Sequence, residues 1–258
     1  MAKKQHHIDC GPGDVGRYVL LPGDPGRVPV VAAHLANARQ VARNREYTTY
    51  TGEVDGIKVS VTSTGIGCPS AAIAVEELAR IGADTFIRVG TAGSLQMNVA
   101  LGDLVISTAT VRDDGTSRQY LPISVPAVSD FHLTMALWEA AQKLGHRAHL
   151  GVSQTKDAFY TEEDDPALPR YEEIRRDWKA YQKANVLASS MESAAIFSVA
   201  MIRRLRAAEI LAIIGSTYSG EMIVKKVGID EMIATAIEAI RIVAARDSGT
   251  AVLLVSTE

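Results

Sequence analysis

YVLLPGDPGRVPVVAAHLA (residues 18–36) starts as an apolar run of strand length, turns at Pro22-Gly23 and continues in a helical pattern. Residues 18–22 predict a buried strand. Residues 24–36 predict a helix, with Asp24 as its N-cap and Pro25 in its first position. The alternation then recurs along the chain. Helices are expected over 70–81, 131–144, 169–183, 191–205 and 227–246, the second ending at Gly145, a residue suited to a left-handed cap. Apolar runs at 85–90, 104–109, 149–154 and 210–216 read as strands, and 41–54 with 57–63 as two strands around the Asp55-Gly56 turn. Strands alternating with helices imply an α/β domain with a largely parallel central sheet and helices on both faces, to which the hairpin adds an antiparallel part.

The chain has 258 residues, 47% hydrophobic and 22% charged, the length of one large domain or two small ones and enough to bury a substantial core. A net charge of -3 gives no basis for binding nucleic acid, and no window has the roughly 20 apolar residues of a membrane span. The opening MAKKQHHIDC has no apolar signal segment, and Cys10 and Cys68 form neither a disulfide framework nor a zinc pattern. These features lead to the expectation of a cytoplasmic protein with reduced thiols.

Three segments bring glycine, a small hydroxyl residue or arginine to the end of a strand, where α/β sheets bind ligands. In PGDPGR, Gly23 lets backbone amides approach an anion, and Arg27 falls in the first turn of a helix whose dipole favours negative charge. The alternative is a plain capping turn with a solvated arginine. In TFIRVGTAG, Arg88 lies inside an apolar strand, so an anion must meet it, either a core carboxylate or a bound phosphate; Thr91 follows at the strand end. Arg45, in NREY, reads alone as a surface residue, yet three arginines at three loops would suit a phosphate dianion. GIGCPS (65–70) has a superficial likeness to a dinucleotide fingerprint, but Ser70 replaces its third glycine and the next strand carries Arg88 where an acid would hold a ribose. Glu192 opens a helix, where it can serve the dipole or accept hydrogen bonds from a sugar diol.

Taken in order, LPGDPGRV (21–28), NREYTTYTG (44–52), STGIGCPSAAIAVEEL (63–78), IRVGTAGSLQ (87–96), VPAVSDF (125–131), KDAFY (156–160) and SMESAA (190–195) resemble the uridine phosphorylase branch of the nucleoside phosphorylases, over about residues 13–246. The resemblance implies a three-layer α/β/α sandwich with a mixed central sheet, one domain with an N-terminal arm (1–12) and a tail (248–258), assembled as a homohexamer, a trimer of dimers. Its reaction is the phosphate-dependent cleavage of a nucleoside to free base and (deoxy)ribose 1-phosphate. The substrates are a nucleoside and inorganic phosphate, and no organic cofactor is needed. By resemblance, Gly23, Arg27, Arg88 and Thr91 bind phosphate, with Arg45 reaching in from a neighbouring subunit. Met191 and Glu192 hold the ribose, and an N-terminal histidine contacts it from a neighbour, His7 being the better match than His6. Phe159 packs on sugar and base, while Glu46, Ile66 and Ser70 match a potassium site between subunits. Arg88 and Glu192 are the residues expected to carry catalysis.

Two departures affect the base. The Gln and Arg that read uracil are replaced by an acidic run, Glu162-Glu163-Asp164-Asp165, and the usual Glu-Met-Glu reads Ser190-Met191-Glu192. Purine-cleaving relatives have an Asp at the end of a late strand, where this chain has Ser216-Thr217. An acidic run is most simply a solvated loop. If Glu162 or Glu163 faced the base, it would repel uracil carbonyls and favour a base with an amino group. A hydrolytic nucleosidase, or a non-catalytic nucleoside- or phosphate-binding protein, are the competing functions.

Overall fold

The computed structural model describes residues 3–162, 164–216 and 225–249. The first half of the chain contributes β1 (Tyr18–Leu21), α1 (Arg27–Ala32), β2 (Ala36–Asn44), β3 (Tyr47–Val54), β4 (Ile57–Thr62), α2 (Cys68–Arg80), β5 (Thr85–Ser94) and β6 (Leu104–Asp113). Next come α3 (Thr116–Tyr120), β7 (Ala127–Val128), α4 (Phe131–Leu144), β8 (Ala148–Lys156) and a 3-10 turn (Phe159–Glu162). The chain continues through α5 (Tyr171–Lys183), β9 (Ala188–Ser190), α6 (Ser193–Arg203), β10 (Arg206–Ser216) and α7 (Ile229–Asp247).

All ten strands join one mixed sheet in the order β10-β6-β8-β9-β5-β1-β4-β3-β2, with β7 on β6. Period-two alternation sets the layers. On β1, Tyr18 and Leu20 face a cluster formed with α1, α4 and α7, whereas Val19 and Leu21 face one formed with α2 and α6. Helices therefore cover both faces, as the strand-helix alternation implied. β10 also pairs with β5 in parallel, so β5, β10, β6, β8 and β9 close on themselves into a ring. Ala92, Val105, Ala188 and Leu211 from that ring share a small apolar cluster of their own.

The structure revises several boundaries. The helix expected over 24–36 is only α1; its N-cap is Gly26, and the Asp24 carboxylate instead accepts the Gly26 amide at 2.8 Å in a tight turn. The chain from Ala36 is drawn into β2, where pairing with β3 overrides helical pattern. The single strand expected over 41–54 is two, because Arg45 adopts a left-handed φ of 54° and reverses the chain between Asn44 and Tyr47. Neither central residue of that turn, Arg45 or Glu46, is a glycine or asparagine. Parallel and antiparallel ladders are evenly matched, five of each among the described residues, where a largely parallel sheet was expected.

The expected N-terminal arm is packed in rather than free: Ile8 and Cys10 are fully buried in the α2/α6 cluster. Ser248 and Gly249 follow α7, and residues 250–258 of the expected tail lie outside the described residues. No described helix is long and apolar enough to cross a membrane.

Candidate active site

The site is built at the ends of β1 and β5 and the starts of α1, α2 and α6. Along β5, Ile87 and Val89 face the α4/α7 layer, so Arg88 points the other way, towards the interior of the ring. Its guanidinium lies across Gly90. A Cβ at 90 would stand 2.8 Å from Arg88 Cζ and 2.9 Å from Leu211 Cδ2, so a residue without a side chain is required there.

Two carboxylates meet Arg88, which is only 4% exposed. Its Nη2 pairs with Glu192 Oε2, and its Nε lies 3.4 Å from Glu209 Oε1. The second contact is an ion pair without hydrogen-bond alignment. Buried Nη1 has no hydrogen-bond partner among the described residues. A Cβ on Gly23 would lie 3.8 Å from that Nη1 and 3.9 Å from Glu192 Oε1, so the glycine loop opens on both groups.

Glu192 occupies the N-cap position of α6 and is nearly fully buried. Oε1 accepts the Gly67 amide at 2.9 Å and Oε2 the Met191 amide at 3.2 Å. The loop that supplies Gly67 is fastened by the Met191 carbonyl, which accepts the Cys68 thiol at 3.3 Å. Arg27 comes to the same place from α1. Burial, and next the positive charge of Arg88, hold its guanidinium below the ordinary value. Gly23, Arg27, Arg88, Met191 and Glu192 are thus brought together. Thr91 is half-buried further along β5, in register with Ala212.

Arg45 and His7 are elsewhere. Arg45 is exposed on the β2–β3 turn, and no contact joins it to Arg27 or Arg88 among the described residues. His7 is beside it: the Asn44 amide donates to the His7 carbonyl at 2.8 Å. The His7 ring Nδ1 lies 2.7 Å from Glu77 Oε1, which leaves the other ring nitrogen available. Glu46 and Ser70 approach across Gly65, where a Cβ would strike Glu46 Cγ at 2.8 Å and sit 3.3 Å from Ser70 Oγ. The Ser70 hydroxyl donates to the Ile66 carbonyl at 3.3 Å. A carboxylate, a carbonyl and a hydroxyl at one edge are hard oxygen donors of the kind an alkali cation takes.

On the far side, Phe159 is 41% exposed on the 3-10 turn. The acidic run behind it is not simply solvated. The Glu162 side chain is largely buried and pairs with Lys156, whose Nζ also donates to Ser189 Oγ at 2.6 Å and lies 5.9 Å from the centroids of the Phe159 and Trp178 rings. Asp164 accepts the Tyr171 hydroxyl at 2.6 Å, and Asp165 accepts the Ala167 amide at 2.9 Å. Glu163 lies outside the described residues. Lys156, Gly90 and Glu209 escaped the sequence reading. A usable signal existed for Glu209, the lone charge within AAEILAII (207–214), as Arg88 is within TFIRVG.

Residues 17–244 match the family model described as the phosphorylase superfamily. The chain is 46% identical to the uridine phosphorylase of Thermococcus kodakarensis, over 94% of this chain and 88% of that one. It is 42% identical to the uridine phosphorylase of Treponema pallidum, over 95% and 96% respectively. It is 41% identical to the guanosine phosphorylase of Halorubrum lacusprofundi, over 84% and 86%.

Proposed function

The chain belongs to the phosphorylase superfamily, and from that membership and its site we infer that it is a nucleoside phosphorylase, transferring the pentosyl group of a nucleoside to inorganic phosphate. The observation that carries the phosphate half is the approach of two guanidiniums, half-buried Arg27 and buried Arg88, beside the Gly23 loop, with Arg88 Nη1 lacking a hydrogen-bond partner among the described residues. Two adjacent cations repel unless an anion joins them, and a phosphate dianion accepts such donors bidentately.

In this reading a phosphate oxygen forms the bond to the anomeric carbon as the carbon–nitrogen bond to the base breaks, and the bonding electrons leave with the base. Positive charge grows on the sugar between phosphate and Glu192. The arginines hold the nucleophile, Met191 and Glu192 hold the ribose, and proximity with preorganised charge supplies much of the rate. Within one copy, Arg27 and Arg88 are balanced by Glu192 and Glu209. A third cation is needed to attract a dianion, and Arg45 of a second copy is our candidate, with His7 beside it. We therefore assign a homohexamer built from dimers, a potassium ion between Glu46, Ile66 and Ser70 at the shared edge, no organic cofactor, and a cytoplasmic location.

Uridine is the leading substrate. The repulsion argued from the acidic run loses its motive at Glu162, whose charge is matched by Lys156. Guanosine is the second reading, favoured by the name of the Halorubrum relative. A panel of nucleosides with and without phosphate tests both levels. Release of base only with phosphate is expected. Release without phosphate would indicate a nucleosidase, and binding without turnover a sensor.

A further inference from the structure

Glu209 is fully buried. It is the register partner of Arg88 on the adjacent parallel strand and of Ser107 on the antiparallel one. Its Oε2 accepts the Ser107 hydroxyl at 2.5 Å and the Ser153 hydroxyl at 3.1 Å; its Oε1 accepts Ser190 at 3.2 Å and also Ser193. Every strand of the closed ring therefore contributes one side chain to this knot: Arg88 from β5, Ser107 from β6, Ser153 from β8, Ser190 from β9 and Glu209 itself from β10. Four hydroxyl donors fix both carboxylate oxygens, so the carboxylate is rigid before it meets the arginine.

We propose that Glu209 is a positioning residue for phosphate: from inside the ring it sets the guanidinium plane of Arg88 so that Nη1 faces the opening beside Gly23. The proposal rests on the phosphorylase reading above. Glu192 holds one corner of the guanidinium, through Nη2, and Glu209 faces Nε at another. Carboxylates at two corners restrict how the planar group turns; Nε keeps its ion pair with Glu209 without a hydrogen bond, and Nη1 has no hydrogen-bond partner among the described residues. Ser190 also gains a role, since it anchors the Glu209 carboxylate from the position where the usual motif has its first glutamate. A carboxylate placed only to cancel charge would not need four aligned donors.

The charge of Glu209 by itself opposes phosphate binding, so removal of charge and loss of position predict opposite signs. This makes the test decisive. Glu209→Met keeps the length of the side chain but removes the oxygens, whereas Glu209→Gln keeps an oxygen that can face Nε. Phosphate affinity is read twice, as KM and as the thermal shift produced by inorganic phosphate alone, with circular dichroism to verify folding. Glu209→Met is expected to raise the phosphate KM about tenfold or more, to shrink the phosphate-induced shift, and to leave the nucleoside KM within about twofold. Glu209→Gln is expected to restore most of the loss. An unchanged or lowered phosphate KM in folded Glu209→Met overturns the proposal, as does an equal rise in both KM values or a Gln variant as impaired as Met. Where Glu209→Met does not fold, Ser107→Ala/Ser153→Ala frees Oε2 and carries the same readout, with a selective rise in phosphate KM expected and an unchanged value overturning the idea. A wild-type protein stabilised by phosphate yet inactive on all nucleosides would refute the phosphorylase reading while leaving this one testable by thermal shift. No phosphate effect of any kind would refute both.

Discussion

Arg27, in the first turn of α1, and Arg88, inside β5, stand close enough that the charge of Arg88, second only to burial, pulls the Arg27 guanidinium below its ordinary value. Like charges this close disfavour one another, and the phosphate proposed above would relieve that cost.

Removing either arginine is therefore expected to weaken phosphate use. Each charge-assisted contact contributes about 1.5–3 kcal/mol, so Arg27→Ala should raise the phosphate KM by about 10- to 100-fold. Arg88→Ala should do the same and also lower stability by about 3–5 kcal/mol, since it leaves two buried carboxylates without their cation. Steady-state kinetics against phosphate and a urea titration check both. Phosphate kinetics unchanged in folded variants would remove the phosphate assignment.

His7, half-buried, is bonded to Asn44, the neighbour in sequence of exposed Arg45, and no contact joins either residue to Arg88 among the described residues, so the active unit is expected to hold at least two chains. Deleting residues 1–10 is a poor test, because Ile8 and Cys10 belong to the core. His7→Ala and Arg45→Ala are the better variants. Each should be impaired alone, and either one mixed with Arg88→Ala should regain activity at sites that pair the intact edge of the Arg88→Ala chain with the intact Arg88 of the other. A monomer with full activity by sedimentation at assay concentration would rule out the shared site.

The N-terminal segment should be anchored in a pH-dependent way. Burial raises the pKa of Glu77, but the His7 ring and the amides of Ile8 and His7 outweigh it and hold the carboxyl below its ordinary value of 4.5. A depressed carboxylate contributes stability that is present above the unfolded value and lost as pH falls through the folded one. Hydrogen exchange at the His7 and Ile8 amides, corrected for intrinsic rates, should show protection at pH 6 that disappears below 4.5 before the amides of α2 open. Protection that persists until global acid unfolding would contradict this anchor.

Glu162 bears on the base. With its carboxylate committed to Lys156, Glu162→Gln should change the uridine-to-guanosine ratio of kcat/KM by less than about threefold, whereas Lys156→Ala should destabilise the fold by about 3–5 kcal/mol. A tenfold gain for uridine on Glu162→Gln would instead put that carboxylate against the base.

Both thiols should be inert. Burial pushes the Cys10 thiol up to about 11 and raises that of Cys68 further. Neither should react with iodoacetamide at pH 8 until the protein is unfolded, as peptide mass spectrometry would show.

The sequence alone determined the alternation of strands and helices, the glycine loop at Gly23, the left-handed cap at Gly145 and the demand of Arg88 for an anion. These are local properties: period-two and 3.6-residue patterns, turn chemistry and the cost of burying one charge can all be read within a short window. Of the two anions weighed for Arg88, the carboxylate is present twice, as Glu192 and Glu209, and phosphate is the one proposed for Nη1. Tertiary structure decided the rest. The closure of β10 on β5, the meeting of Arg88 with Glu209, the pairing of Glu162 with Lys156 and the adjacency of His7 to Asn44 join segments far apart in the chain. The register that brings them together is set by packing across the sheet, and no short stretch of sequence records it.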